Sequence, residues 1–251
     1  MEDFLLSSFG LSLAINMILF LIAYFFQTDK LTDLSYSLCF LAINTYNFIF
    51  SDFEVTDMIV FAIISLWALR LGSYLLFRIN TIGRDARFDG IREKLISFFG
   101  FWIVQSISVF ILCIPIIILY AYDGYNINSV FILGVIISLM GLIIESIADQ
   151  QKFNFKRKNP KKFMQVGLWK KLRHPNYTGE ILFWIGIFIC VVPVMSSWYW
   201  ISILSPTWIS FLLIEFSGIP PLEKVWNEKY GDSKAYKDYV KNSDRIIPWV
   251  Y

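Results

Sequence analysis

The chain has 251 residues and a formal net charge of +2, and 57% of its residues are hydrophobic and 18% aromatic. Soluble domains are about 45–50% apolar, and a mean hydropathy of +0.58 points the same way, so a water-soluble enzyme is excluded and one integral membrane domain over 1–251 is expected. One histidine and three cysteines without paired spacing exclude a disulfide framework and a His- or Cys-rich metal site, and no nucleic-acid partner is expected.

Seven apolar runs, at 4–26, 31–50, 55–78, 96–120, 128–149, 177–194 and 198–217, approach the roughly 20 residues that a spanning helix needs. They predict an all-α polytopic bundle of about seven transmembrane helices, followed by a polar tail over 218–251. The first run opens Met1-Glu2-Asp3 without a basic n-region, and its apolar stretch exceeds the roughly 7–15 residues of a signal peptide. It is expected to stay as a helix. Cys39, Cys113 and Cys190 fall inside runs and read as small packing residues.

Sidedness follows from the positive-inside rule. Segments 27–30, 79–95, 150–176 and 218–251 hold 1, 4, 9 and 6 Lys/Arg, twenty of the 22 in the chain. Arg70 and Arg78 lie in the half of the third run that leads to that side, and the opposite loops hold none. The N-terminus is therefore expected outside and the C-terminus in the cytoplasm.

Ionisable groups within a span are costly, about 2.5–3.5 kcal/mol near the centre, so their positions are informative. The third run, "LWALRLGSYLLFRINTIGRDARF", places Arg70 inside the membrane, Arg78 two turns later, and Arg84 and Arg87 in the loop beyond. Arginine forks suit phosphates and carboxylates, whereas Arg92 and Lys94 read as topology signals. The fifth run ends "GLIIESIADQQKFNFKRK". Its Glu145, Asp149, Lys152 and Lys156 are spaced 4, 3 and 4 apart and share one helix face. A self-neutralising helix end with snorkelling lysines would have the same pattern.

The stretch "LWKKLRHPNYTGEILFWIGIF" over 168–188 carries the densest polar chemistry. Pro175 suits a first helical turn, so a helix is expected to start at 174–176. Its N-terminus, under a cationic collar, favours an anion. Asn176, Tyr177 and Glu180 share a face of that helix, with Arg173 and His174 at its rim. A plain capped helix accounts for Tyr177 and His174 as interfacial anchors but not for Glu180. In the tail, Glu223, Tyr236 and Tyr239 are contacts if it folds over the membrane mouth; otherwise its aromatics form an interface belt. Arginines and lysines for phosphates, with carboxylates and amides for ribose and base, together suggest a nucleotide cofactor. No GxGxxG or Walker sequence is present, so such a site would lie between membrane helices.

"GLWKKLRHPNYTGEILFW", "SGIPPLE" and "YKDYVKNSDRIIP" resemble the C-terminal half of the steroid 5α-reductase-like membrane proteins, in particular their bacterial DUF1295 branch. "LWALRLGSYLLFRI", "GRDARF" and "DQQKFNFK" resemble upstream segments of that branch. A related RHPxYxG box occurs in isoprenylcysteine carboxyl methyltransferase-like enzymes, which use S-adenosylmethionine. The resemblance implies a helical bundle in the bacterial inner membrane that binds NADPH from the cytoplasm and passes hydride to an activated C=C bond of a lipid enone. By motif it assigns cofactor contacts to Asn176, Glu180, Asp149 and Lys156. Lysine stands at 156 where the family has arginine, and Glu145 replaces an asparagine. The second run offers Asp33, Asn44 and Tyr46 as lining residues only, so a steroid substrate in particular is not indicated.

The resulting expectation names Tyr177 and Glu180 as the catalytic pair, the phenol as acid and the carboxylate orienting it. Arg78, Arg84, Arg87, Glu145, Asp149, Lys152, Lys156, Arg173, His174, Asn176, Tyr177, Glu180 and Tyr239 are expected to hold the cofactor. Partners are the bilayer and a hydrophobic, lipid-like substrate. A methyltransferase using S-adenosylmethionine and a non-catalytic lipid-binding protein are the competing readings. The abundance of cations favours NADPH, because S-adenosylmethionine carries no phosphate.

Overall fold

In the computed structural model, residues 1–82, 88 and 90–247 are described, and all named elements among them are helical. The protein is an all-α polytopic membrane protein. Among the described residues, six helical segments are long and apolar enough to cross a membrane: Glu2–Phe25, Val55–Ile79, Leu95–Tyr120, Ser129–Lys158, Pro175–Val194 and Ser197–Tyr230. The chain divides into two compact units.

The first unit comprises 1–133 and 187–205. It contains α1 (Glu2–Phe25), α2 (Lys30–Ile49), α3 (Val55–Ile82) and α4 (Leu95–Tyr120). The second sequence run forms α2, 20 residues long, yet α2 is not among the six most apolar segments. The physical reason is what it buries: Thr32, Ser35, Ser37, Asn44 and Asn47 face inward. Within a membrane such groups need partners inside the protein, and each of these residues has at least one. Gln105 Nε2 of α4 lies 2.9 Å from Asn16 Oδ1, 3.2 Å from the Thr32 carbonyl and 2.5 Å from Ser35 Oγ. Asn47 donates to Ser8 Oγ at 2.8 Å, and the Tyr120 hydroxyl donates to Asn44 Oδ1 at 2.6 Å. Phe20, Phe88, Phe98 and Trp102 make an aromatic core at the other end of α1 and α4. Arg92 is buried on Asp29 at 2.7 Å, and Arg78 pairs with Asp33 of α2 at 3.0 Å.

The second unit comprises 134–186 and 206–251. Its long helix, α5 (Ser129–Lys158), continues nine residues past the expected end of the fifth run at 149. Charged and amide side chains extend a helix as readily as apolar ones once it leaves lipid, so hydropathy marks the membrane boundary rather than the helix end. α6 (Pro175–Val191) starts at the proline, as the sequence predicts. The last apolar run is not one helix. It forms a 3-10 segment over Ser197–Ile203, α7 (Leu204–Phe211) and a π-turn over Leu212–Phe216, and it breaks at Gly218 before α8 (Ile219–Tyr230) and α9 (Lys234–Lys241).

Candidate functional site

Glycine lets α5 and α6 approach closely. A Cβ on Gly179 would lie 2.7 Å from the Gly141 carbonyl oxygen and 2.8 Å from Glu145 Cβ. One on Gly141 would meet the Phe183 backbone, and one on Gly186 would meet Ser138 and Gly134. Small residues one turn apart are the usual means of close helix contact in lipid. Because Gly179 rests on Glu145, this crossing brings the carboxylate stripe of α5 beside the start of α6. Glu145 and Asp149 are buried, whereas Lys152, Lys156, Asn176, Tyr177 and Glu180 are half-buried.

Segment 169–178 is then tied to the tail. Leu172 and Asp244 form a parallel bridge, and the Arg173 and His174 amides donate to the carbonyls of Asp244 at 2.8 Å and Arg245 at 3.1 Å. Glu223 of α8 is the hub. Its Oε1 accepts from Arg173 Nε at 3.1 Å and lies 3.3 Å from His174 Nε2, and its Oε2 accepts from Arg245 at 2.9 Å. The other arm of Arg173 donates to the Val240 and Ser243 carbonyls at 3.0 and 2.6 Å. Arg173 and His174 therefore hold the tail in place. Tyr239 is buried and donates to the Trp169 carbonyl at 2.7 Å, and Thr178 donates to that of Ile246 at 2.8 Å.

His174 stacks with two aromatic rings. Its ring lies 5.3 Å from Trp226 with planes 2° apart, and 5.6 Å from Tyr177 with planes 6° apart. Lys152 Nζ sits 4.8 Å from the Trp169 ring centroid and 5.6 Å from that of Trp226, a cation held between two indole faces. Burial holds the His174 imidazole below its ordinary range; Glu223 pulls it up, while Lys152 and Arg173 push it down. A neutral ring with its proton on Nε2 donates to Glu223. Burial likewise raises the Tyr239 phenol above its usual range.

Asn176 differs from its neighbours. Its Oδ1 is buried and accepts no hydrogen bond among the described residues. A buried acceptor without a donor costs about 1–3 kcal/mol, and native proteins rarely leave one empty without a reason. Lys156 Nζ donates to the Lys162 carbonyl at 2.6 Å and lies 3.3 Å from the Tyr230 hydroxyl.

Of the expected site residues, Glu145, Asp149, Lys152, Lys156, Arg173, His174, Asn176, Tyr177, Glu180 and Tyr239 all belong to the second unit. Arg78 belongs to the first, on Asp33. Arg84 and Arg87 lie outside the described residues.

The chain matches the family described as "Protein of unknown function (DUF1295)" over residues 19–243. It belongs to the DUF1295 family. Steroid 5-alpha-reductase DET2 of Arabidopsis thaliana is 24% identical over 123 residues, 48% of this chain and 42% of that protein. DET2 of Solanum lycopersicum is 26% identical over 122 residues, 48% of this chain and 42% of the relative. DET2 of Gossypium hirsutum is 26% identical over 127, with 48% and 43% covered. The chain thus spans less than half the length of the curated relatives it matches. No solved structure matches it.

In this DUF1295 chain the sequence reading did not single out Trp169, Trp226 and Arg245, and it named Glu223 only as a tail contact. The signal available was a tail with a carboxylate at 223 and an arginine at 245, but the carboxylate's pairing with Arg173 spans 50 positions and that with Arg245 spans 22. Spacing along one helix cannot reveal that.

Proposed function

We propose that this DUF1295 protein is a membrane-embedded oxidoreductase. It takes hydride from NADPH, held on the cytoplasmic side by α5 and α6, and reduces the activated C=C bond of a lipid-like or steroid-like enone. The observation that carries this reading is the unfilled acceptor of Asn176, within the RHPNYTGE stretch of a chain related to steroid 5-alpha-reductases.

The residues present fit the cofactor. Asn176 Oδ1 needs a donor, which a ribose hydroxyl or a carboxamide provides. Glu145 and Asp149 are acceptors on the same helix face as Lys152 and Lys156, which supply positive charge for phosphate. NADPH would supply the hydride. The protein's own part is positional and acidic. Glu223 fixes His174, and His174 lies flat against Tyr177. The Tyr177 phenol gives the proton that completes saturation and regains one from solvent, with Glu180 one turn on to orient it.

Thermal melting of the purified protein in detergent tests the cofactor, because a ligand specific to the folded state raises its apparent stability by mass action. NADPH is expected to raise the melting temperature, NADH less and S-adenosylmethionine not at all. Stabilisation by S-adenosylmethionine alone overturns the reading in favour of a methyltransferase. A folded protein indifferent to all three is a lipid-binding protein instead.

A further inference from the structure

Beyond the catalytic reading, and independent of it, we propose that α5 and the loop after it form a headgroup site for an anionic phospholipid. The argument begins with the face of α5 that the proposed cofactor does not use. Ile132, Ile136, Met140, Ile143 and Ile147 are all exposed, from 45% to 56%. Their spacings of 4, 4, 3 and 4 place them on one stripe, and five large exposed aliphatic side chains on a membrane helix face lipid. The stripe of Glu145, Asp149, Lys152 and Lys156 lies on the opposite side of the helix, by the same 100° per residue.

The lipid-facing stripe continues beyond Ile147. At that period its next members are Asn154 and Lys158, with Gln151 beside them. From Val130 to Ile147 the helix rises about 26 Å at 1.5 Å per residue, most of the roughly 30 Å of hydrocarbon. Gln151 to Lys158 therefore cover the next turns, at the depth of the headgroups. There the stripe enters a shallow groove of about 380 Å3 lined by Gln151, Asn154, Phe155, Lys158, Asn159, Val166 and Gly167. The loop wall is held in place from α5, since Gln151 Oε1 accepts the Leu168 amide at 2.9 Å. Gly167 makes this approach possible: its φ is +62°, and a Cβ there would collide with the Gln151 amide.

The chemistry of this groove is cationic and amide-rich. Lys158 is exposed and makes no ion pair among the described residues. Nine Lys/Arg and no Asp or Glu lie between Asp149 and Glu180. Of these, Arg173 is engaged by Glu223 and Lys152 by the indoles, but Arg157, Lys158, Lys161, Lys162 and Lys170 remain exposed. A phosphodiester meets Lys158, the amides of Gln151 and Asn154 suit a headgroup bearing hydroxyls, and the acyl chains run down the stripe from Ile147. A lipid with a net negative phosphodiester and a glycerol headgroup satisfies all three features, whereas zwitterionic choline would bring its own cation to Lys158.

The test uses the full chain in vesicles of phosphatidylcholine with one-tenth phosphatidylglycerol, and spin-labelled phosphatidylglycerol or phosphatidylcholine as the probe. The immobilised fraction is expected to favour phosphatidylglycerol. A cation near an anionic membrane surface is worth about fivefold in binding, so Lys158→Gln with Asn154→Leu is expected to remove about that factor. Lys161→Gln with Lys162→Gln, outside the groove, is expected to change selectivity less. Both pairs are compared at unchanged melting temperature. Equal immobilisation of the two lipids overturns the proposal, as does a loss confined to the Lys161 and Lys162 pair, which would mean a diffuse basic surface. Competition by inorganic phosphate at millimolar concentration overturns the lipid assignment in favour of a free anion.

Discussion

His174 and Trp226 lie face to face, ring centroids 5.3 Å apart and planes 2° from parallel. One ring belongs to the segment before α6 and the other to α8, and the Glu223 carboxylate three positions before Trp226 accepts from the same imidazole. The chain's only histidine is thus a fastening point between the RHPNYTGE stretch and the tail. The same ring also lies parallel to that of Tyr177, 5.6 Å away, which links this fastening to the proposed acid.

Glu223→Gln is expected to loosen that fastening. The amide would leave Arg173 and Arg245 without their charged acceptor, at a cost of about 1–3 kcal/mol. The melting temperature in detergent should fall, and trypsin should cut the tail at Lys224 to Arg245 faster than in the unaltered protein. Equal cleavage rates would show that Glu223 does not hold the tail.

Acid should have a similar effect through His174. Its folded value is depressed below the ordinary 6.5, so the unfolded chain binds the proton more readily. Stability from this group is full above about 6.5 and falls as pH drops through the window beneath it. The melting temperature is expected to decline between pH 7.5 and 5.5, and His174→Gln should flatten that part of the slope. A slope unchanged in the variant would assign the effect to other groups.

Asn176→Leu separates stability from ligand binding. Removing a buried acceptor that has no donor is expected to leave the ligand-free protein as stable as before, or slightly more so. The stabilisation by NADPH should disappear. Reduced stability without ligand together with an intact NADPH response would rule out the role given to Asn176.

Gly179→Ala tests the α5–α6 crossing. The added methyl would press on the Gly141 carbonyl and on Glu145, and overpacking of that kind costs about 1–3 kcal/mol. A lower melting temperature and a weaker NADPH response are expected together. Gly10→Ala, where a Cβ meets nothing within 4 Å, is the control and should change neither.

Tyr177→Phe keeps the ring against His174 and removes the proton. Turnover of an enone substrate is expected to fall by roughly 10²–10⁴-fold, the usual range for a lost general acid, with NADPH stabilisation retained. Unchanged turnover would exclude Tyr177 as the proton source.

The sequence by itself determined the membrane class, the start of α6 at Pro175 and the stripe on α5, because hydropathy and helical period are local properties. It also carried the resemblance to the family that the chain belongs to. Other features depended on positions far apart in the chain. α2 reads as only moderately apolar because its polar face meets α1, α3 and α4, and no window of residues 30–49 contains those partners. The last apolar run looks continuous, but it is made of successive 3-10, α and π segments before Gly218. Arg173 and His174 looked like a rim for phosphate. In the tertiary structure they meet Glu223, a half-buried carboxylate 50 positions on, whose charge makes it a stronger acceptor than water. The same holds for Asn176, whose place on a helix face was legible but whose unfilled acceptor became visible only once the surrounding side chains had closed over it.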